Sequence, residues 1–169
     1  MVAGFSDAAM TVGAAAMVNR SFLVRLHTGD PGNPVATSPL TLSGGSNNVA
    51  NLVADGTNGY QPAHIAQGGV TAEASGSAAM QASEARYSNS ADVDFGTASS
   101  GGGWGNISWI SIWYNAADDD AAAPTNTAGR NAFSTHFANL ELQTAQTVNA
   151  NDPFVIRART IDFISRNAA

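Results

Sequence analysis

The chain contains no cysteine and no lysine. The first absence removes disulfides, thiol nucleophiles and thiolate metal sites. The second removes Walker-type phosphate loops and S-x-x-K nucleophiles, so the run Gly101-Gly102-Gly103 is not a phosphate cradle. Basic charge is confined to seven arginines against 13 acidic residues, for a net charge of −6. No basic stripe exists to neutralise phosphates, which excludes the nucleic-acid binders. No stretch reaches the ~20 apolar residues of a membrane span. Residues 1–20, MVAGFSDAAMTVGAAAMVNR, lack a basic leader and carry Asp7 ahead of the apolar run, so they read as a mature N-terminus rather than a signal peptide.

Catalytic and metal signatures are equally scarce. There is no G-x-S-x-G elbow. His27, His64 and His136 have no ligand spacing, and each is expected at solvent or in a local hydrogen bond. Asp118-Asp119-Asp120 lacks the alternating donors and distal glutamate of a calcium loop and reads as solvated. Glu73, Glu84 and Glu141 have small or polar neighbours that would not raise a carboxyl pKa. No enzyme activity, cofactor or metal is expected.

Large side chains are also few. Alanine supplies 32 of 169 residues and aromatics only 8%. A chain this long buries roughly 70% of its unfolded surface, but alanine adds little area per residue. The core must come from a few Ile, Leu, Val, Phe, Trp and Met, which favours burying further apolar surface against other copies or a neighbour.

One domain is expected, with an N-terminal helical arm over 1–20 and a β-sandwich over 21–169 carrying long loops near 33–58 and 116–129. Within the arm, residues 5–18 suit a short helix: Ser6 caps, Asp7 meets the dipole, and Phe5 with Met10 forms a hydrophobic staple. Met10, Ala14 and Met17 make its narrow apolar stripe, which serves either the core or a partner. Ser21–Thr28 alternates as a half-buried strand and ends in the turn Gly29-Asp30-Pro31-Gly32. Tyr60–Ile65, Ala91–Gly96, Asn106–Asn115, Arg130–Phe137 and a short piece around Leu140 and Leu142 read as further strands. Phe154–Ile164 reads as the last strand, and its apolar phase slips, which predicts a bulge near Thr160. Residues 66–92 give no clear pattern. Short strands between Gly, Asn and Asp turns predict an all-β fold, an antiparallel β-sandwich or small barrel with a short N-terminal α-helix and long loops.

All three tryptophans fall within GGGWGNISWISIWYN, residues 101–115. Regular alternation puts Ile107, Trp109, Ser111 and Trp113 on one face and Ser108, Ile110, Ile112 and Tyr114 on the other. If Ile110 and Ile112 meet the core, Trp109 and Trp113 need cover from the N-terminal helix, a long loop or another subunit. Stacking against a sugar is the alternative use of such rings. The interface candidates are Trp104, Trp109, Trp113, Tyr114, Met10 and Met17.

The order of motifs is also familiar. Leu26-His27-Thr28-Gly29-Asp30-Pro31-Gly32 is followed by Gly59-Tyr60, by Asp94-Phe95 and by Trp104-Gly105-Asn106-Ile107. In this the chain resembles a family of small tailed-bacteriophage virion proteins, loosely labelled tail fibre, minor tail or head decoration proteins. It departs from their pattern in carrying Gln61-Pro62 where a basic residue commonly follows the tyrosine. The resemblance implies a non-catalytic structural protein of the virion, assembled in the host cytoplasm. Its compact size favours a capsid decoration (cement) protein that contacts other copies of itself, as a trimer or ring, and the major capsid protein. A tail-associated structural or host receptor- or glycan-binding protein is the alternative.

Overall fold

The computed structural model describes residues 18–32, 49–72 and 84–166. The expected N-terminal helix, with Met10 and Met17, lies outside them except for Val18. Among the described residues there are nine strands: β1 Phe22–His27, β2 Ala63–Ile65, β3 Val70–Ala72, β4 Glu84–Asn89, β5 Val93–Thr97, β6 Gly105–Tyr114, β7 Thr135–Val148, β8 Pro153–Ile156 and β9 Asp162–Arg166. They form three antiparallel sheets in the orders β2-β1-β6-β7, β3-β4-β9 and β5-β8. The fold is all-β and sandwich-like. Phe22, Val24, Leu26, Ile110 and Ile112 from the four-stranded sheet share one core with Val70, Val93, Phe95, Phe154, Ile156 and Ile161.

β1 is buried on both faces, not half-buried as its alternation suggested. Its odd positions Leu23, Arg25 and His27 lie under the segments 49–55 and 121–133. Leu23, Val49, Trp113, Ala121 and Phe133 make a second apolar cluster there, with Leu52 packed against it. The described residues therefore form two cores, one on each side of the four-stranded sheet.

Three strand expectations change. The first three residues of the expected strand Arg130–Phe137 are not extended: they end a short helix, α1 Thr127–Ala132, capped by the Asn126 side chain, which accepts the Gly129 N–H at 2.8 Å. Its termination at Phe133 lets that ring enter the second core. β7 is one 14-residue strand, so Leu140 and Leu142 continue it rather than forming a separate piece. The expected last strand is two strands in different sheets, separated by a turn over 157–161 instead of a bulge. Arg159 sits in that turn at φ 61°.

The turn is held by a residue the sequence did not single out. Asn89 is 1% exposed, and its side-chain amide donates to the Ala91 and Arg157 carbonyls at 2.8 and 3.0 Å. Its side-chain oxygen accepts the N–H groups of Thr160 and Ile161 at 3.1 and 2.9 Å. A buried amide has about this many bonds to give, and here all are made. Asp92 adds a second clamp by accepting the Ala158 N–H and an Arg157 guanidinium N–H. These contacts hold its carboxyl below the usual range.

Candidate functional site

The glycine run before Trp104 has a steric cause. A Cβ on Gly103 would lie 2.0 Å from the Val148 carbonyl oxygen and 2.7 Å from the Asn149 Cα. Gly105 adopts φ +87°, which disfavours any side chain. This close approach lets the Trp104 N–H donate to the Val148 carbonyl at 2.9 Å. The Trp104 indole N–H donates to the Asn58 carbonyl at 3.2 Å, and its ring meets Tyr60 edge-on at 5.4 Å. Trp104 is only 4% exposed and belongs to the main core.

Trp113 is 2% exposed and lies in the second core, covered by the chain's own loops. Trp109 and Tyr114 are half-buried; the Arg20 guanidinium sits 4.6 Å above the Tyr114 ring. The tryptophan segment is therefore not a shared stacking platform, since two of its three indoles are inside the fold. Ile107 also departs from its expected face: it packs with Ile110 and Ile112. Between Ile107↔Gln146 and Trp109↔Glu141, β6 advances two positions while β7 retreats five. The irregularity breaks the alternation there, because a bulge re-aims the side chains that follow it.

Beneath the loops lies a polar network centred on His27 and Ser111, both 0% exposed. His27 Nδ1 is 3.0 Å from the Ala50 carbonyl oxygen and therefore carries the proton. Its Nε2, 2.7 Å from Ser111 Oγ, then accepts the serine hydroxyl. Ser111 Oγ in turn accepts the Trp113 indole N–H at 2.7 Å. Every donor in this chain has one acceptor, provided His27 is neutral. Burial pushes its pKa down to about 4; the Ala50 bond opposes this, and the Arg25 and His136 charges add to it.

Next to this chain, Asp55 joins two arginines. Arg130 Nε donates to Asp55 Oδ2 at 2.7 Å, and Arg25 Nη1 lies 3.6 Å from Asp55 Oδ1. Arg25, 0% exposed, also donates to the Arg130 carbonyl at 3.0 Å. The cluster fastens β1, the segment after β1 and α1 to one another. Tyr60 does similar work on the other face: its hydroxyl accepts the Leu26 N–H at 2.8 Å, supplying the partner that β2 is too short to give. Complete burial raises its pKa.

A serine bonded to a histidine suggests nucleophilic chemistry. Here the pair has no solvent-exposed surface, and the third partner of a triad is replaced by a backbone carbonyl. The arrangement fixes the loop 49–55 on the sheet. The sequence motif around His27 is used in the same way. Thr28 N–H donates to the Asn51 carbonyl at 2.9 Å, Asp30 Oδ1 accepts the Gly32 N–H at 2.8 Å, and the Asn139 amide reaches the Gly32 carbonyl at 2.7 Å. His136 makes a local bond to the Asn139 side chain, whereas His64, against expectation, bonds the Ala121 carbonyl of a segment distant in sequence. Among the described residues, no group of three or more His, Asp or Glu side chains is placed to hold a metal ion.

What remains open is a groove of about 440 Å³ between β7 and the turn joining β8 to β9. Its lining includes the apolar residues Ile110, Leu140, Leu142, Phe154 and Ile161 together with polar residues such as Gln143, Thr144 and Arg159. β7 pairs with β6 alone, so its outer edge has no strand partner among the described residues. A second hollow of about 500 Å³, lined by residues such as Gln61, His64 and Asp94, is shallower.

No known family model matches the chain, and no curated protein matches it either.

Proposed function

We propose that this chain is a structural protein of a tailed-bacteriophage virion, acting by adhesion as a capsid decoration protein. The observation that carries this reading is the 14-residue strand β7, whose outer edge has no strand partner among the described residues, beside a partly apolar groove. The buried polar groups His27, Ser111, Arg25, Asp55 and Arg130 are used in holding loops to the sheet, which suits a surface that works by contact. The order of Leu26–Gly32, Gly59-Tyr60 and Trp104–Ile107, which resembles that virion family, supplies the setting. These residues serve the turn, the β1 edge and the core. A structural role for the whole protein agrees with that use.

Burying apolar surface stabilises a contact by about 25 cal/mol per Å², before association costs. On a symmetric shell, many weak contacts act together, so a modest patch suffices. The test mixes purified protein with emptied phage capsids that lack this chain and sediments the particles. Pelleting with the shell in a fixed stoichiometry supports a decoration protein. Protein left in the supernatant at every ratio refutes it, and antibody labelling confined to the tail of intact particles moves the assignment there.

A further inference from the structure

We infer that residues 49–52 form a flap over the second core that acid releases, with His27 as its latch. Release bares the cluster around Trp113 and leaves the main core closed. Nothing in this device depends on the virion role.

All three histidines of the chain touch this cluster or its hydrogen bonds. His27 Nδ1 donates to the Ala50 carbonyl of the flap at 3.0 Å, and through Ser111 the ring is linked to the Trp113 indole. His64 Nε2 donates to the Ala121 carbonyl at 3.0 Å, and its ring meets Phe133 edge-on at 5.8 Å. His136 lies edge-on to Trp113 at 4.9 Å. Acidification therefore concentrates new positive charge around Leu23, Val49, Trp113, Ala121 and Phe133.

At His27 the hydrogen bonds leave no place for a second ring proton. Nδ1–H is spent on Ala50, and Nε2 accepts the Ser111 hydroxyl, whose oxygen already accepts the indole N–H. A proton on Nε2 turns two donors onto that oxygen and leaves the hydroxyl hydrogen without its acceptor, where both residues are 0% exposed. The neighbouring charges do not offset this. Arg25 on the same strand and His136 on β7 both oppose a positive ring. β6 faces it with Ser111 and Trp109, and the flap, Val-Ala-Asn-Leu, has no titratable side chain. Asp55, just beyond the flap, is already engaged by Arg130 and Arg25. Burial accordingly holds the closed ring's pKa at about 4, whereas a ring exposed by opening regains a value near 6.5. The open state binds the extra proton, so the opening constant rises about a hundredfold from pH 7 to pH 4.

Local opening draws on segments with few buried apolar contacts and solvent-exposed backbone hydrogen bonds. Residues 49–52 fit that description. They join β1 through the single bridge His27↔Leu52. Their other ties are the Thr28 N–H to the Asn51 carbonyl, the Ala50 N–H to the Pro31 carbonyl and the Asn51 amide to the Asp30 carbonyl, at 2.9, 3.2 and 2.9 Å. Ala50 and Asn51 are exposed, and Val49 is the one fully buried side chain of the four. Fastening changes at Val53, which packs in the main core, and Asp55 follows with its arginines. The flap thus pivots near 52–53, and Phe22, Val24 and Leu26 on the other face of β1 stay packed.

Native-state hydrogen exchange on the full chain, at low urea concentrations between pH 7 and pH 4, tests this. The Thr28 and Ala50 amides and the Trp113 indole N–H should exchange through one opening that responds little to urea, unlike the amides of the β1–β6 ladder. Corrected for intrinsic rates, their protection should fall about a hundredfold across that pH range. His27→Gln should remove most of that fall. If these three groups share the urea dependence of the ladder, flap and sheet unfold together and the inference is overturned. A local opening with no pH dependence overturns it, as does an unchanged pH dependence in His27→Gln. A Trp113 indole that exchanges only with the ladder, while Thr28 and Ala50 open locally, refutes the uncovering of the second core.

Discussion

Lowering the pH from neutral to about 4 should destabilise this protein through His27. The ring is neutral in the folded state, with its pKa pushed from 6.5 down to about 4 by burial. In the unfolded chain it regains an ordinary value near 6.5. Between those two pH values the unfolded state binds one more proton than the folded state, so stability falls as pH drops through the window. Above about pH 6.5 the ring is neutral in both states and imposes no penalty. At 1.36 kcal/mol per pKa unit, the full interval amounts to roughly 3 kcal/mol. The geometry gives the cause: protonating Nε2 leaves the Ser111 hydroxyl without its acceptor and adds a cation beside Arg25. His64, also lowered by burial, contributes in the same direction. Urea unfolding at half-unit pH steps would measure the slope, and His27→Gln should flatten it. Long-range nitrogen–proton spectra would read the ring directly, with Nδ1 protonated at neutral pH. A His27 ring that titrates near 6.5 in the folded protein, or carries its proton on Nε2, would refute the network as drawn.

Other perturbations test separate contacts. Asn89→Ala removes four hydrogen bonds and strands buried backbone groups, at a cost of about 3 kcal/mol, or a fall in Tm of about 6–12 °C by calorimetry. Gly103→Ala forces a methyl into the Val148 carbonyl and should cost about 3 kcal/mol in urea unfolding, whereas Gly68→Ala, which meets nothing within 4 Å, should lose only the smaller penalty of its positive φ. Tyr60→Phe leaves the Leu26 N–H without its acceptor and should cost about 1–3 kcal/mol, read as faster exchange of that amide. Acrylamide should quench Trp109 emission well before that of Trp104 or Trp113, as single-tryptophan variants would show.

Some elements were legible because their causes are local. β1 and β6 alternate, and Gly29-Asp30-Pro31-Gly32 supplies its own turn chemistry, so short windows suffice. α1 was missed because its six residues include Gly129 and Asn131 and carry little apolar periodicity; the signal was the Asn126 cap, which the apolar pattern at 133–137 masked. β7 reads as two pieces because its apolar phase slips between Phe137 and Leu140, and the structure absorbs that slip as a register shift against β6 inside one strand. The split of 154–166 into two sheets depends on Asn89, a residue 68 positions away from Arg157 in sequence.

The polar network was hidden for a related reason. Arg25 and His27 in an alternating strand look solvent-facing, and only the loops folded over them decide otherwise. Trp113 posed the same ambiguity, and the chain's own segments at 49–55 and 121–133 resolved it.

By itself, the sequence determined the extended course of β1 and β6 and the turn at Gly29–Gly32, because these follow from side-chain type and nearest neighbours. Tertiary structure decided which face of each strand stays dry and which edge is left open. Both depend on segments distant in sequence closing over the same sheet, and no local pattern encodes that meeting.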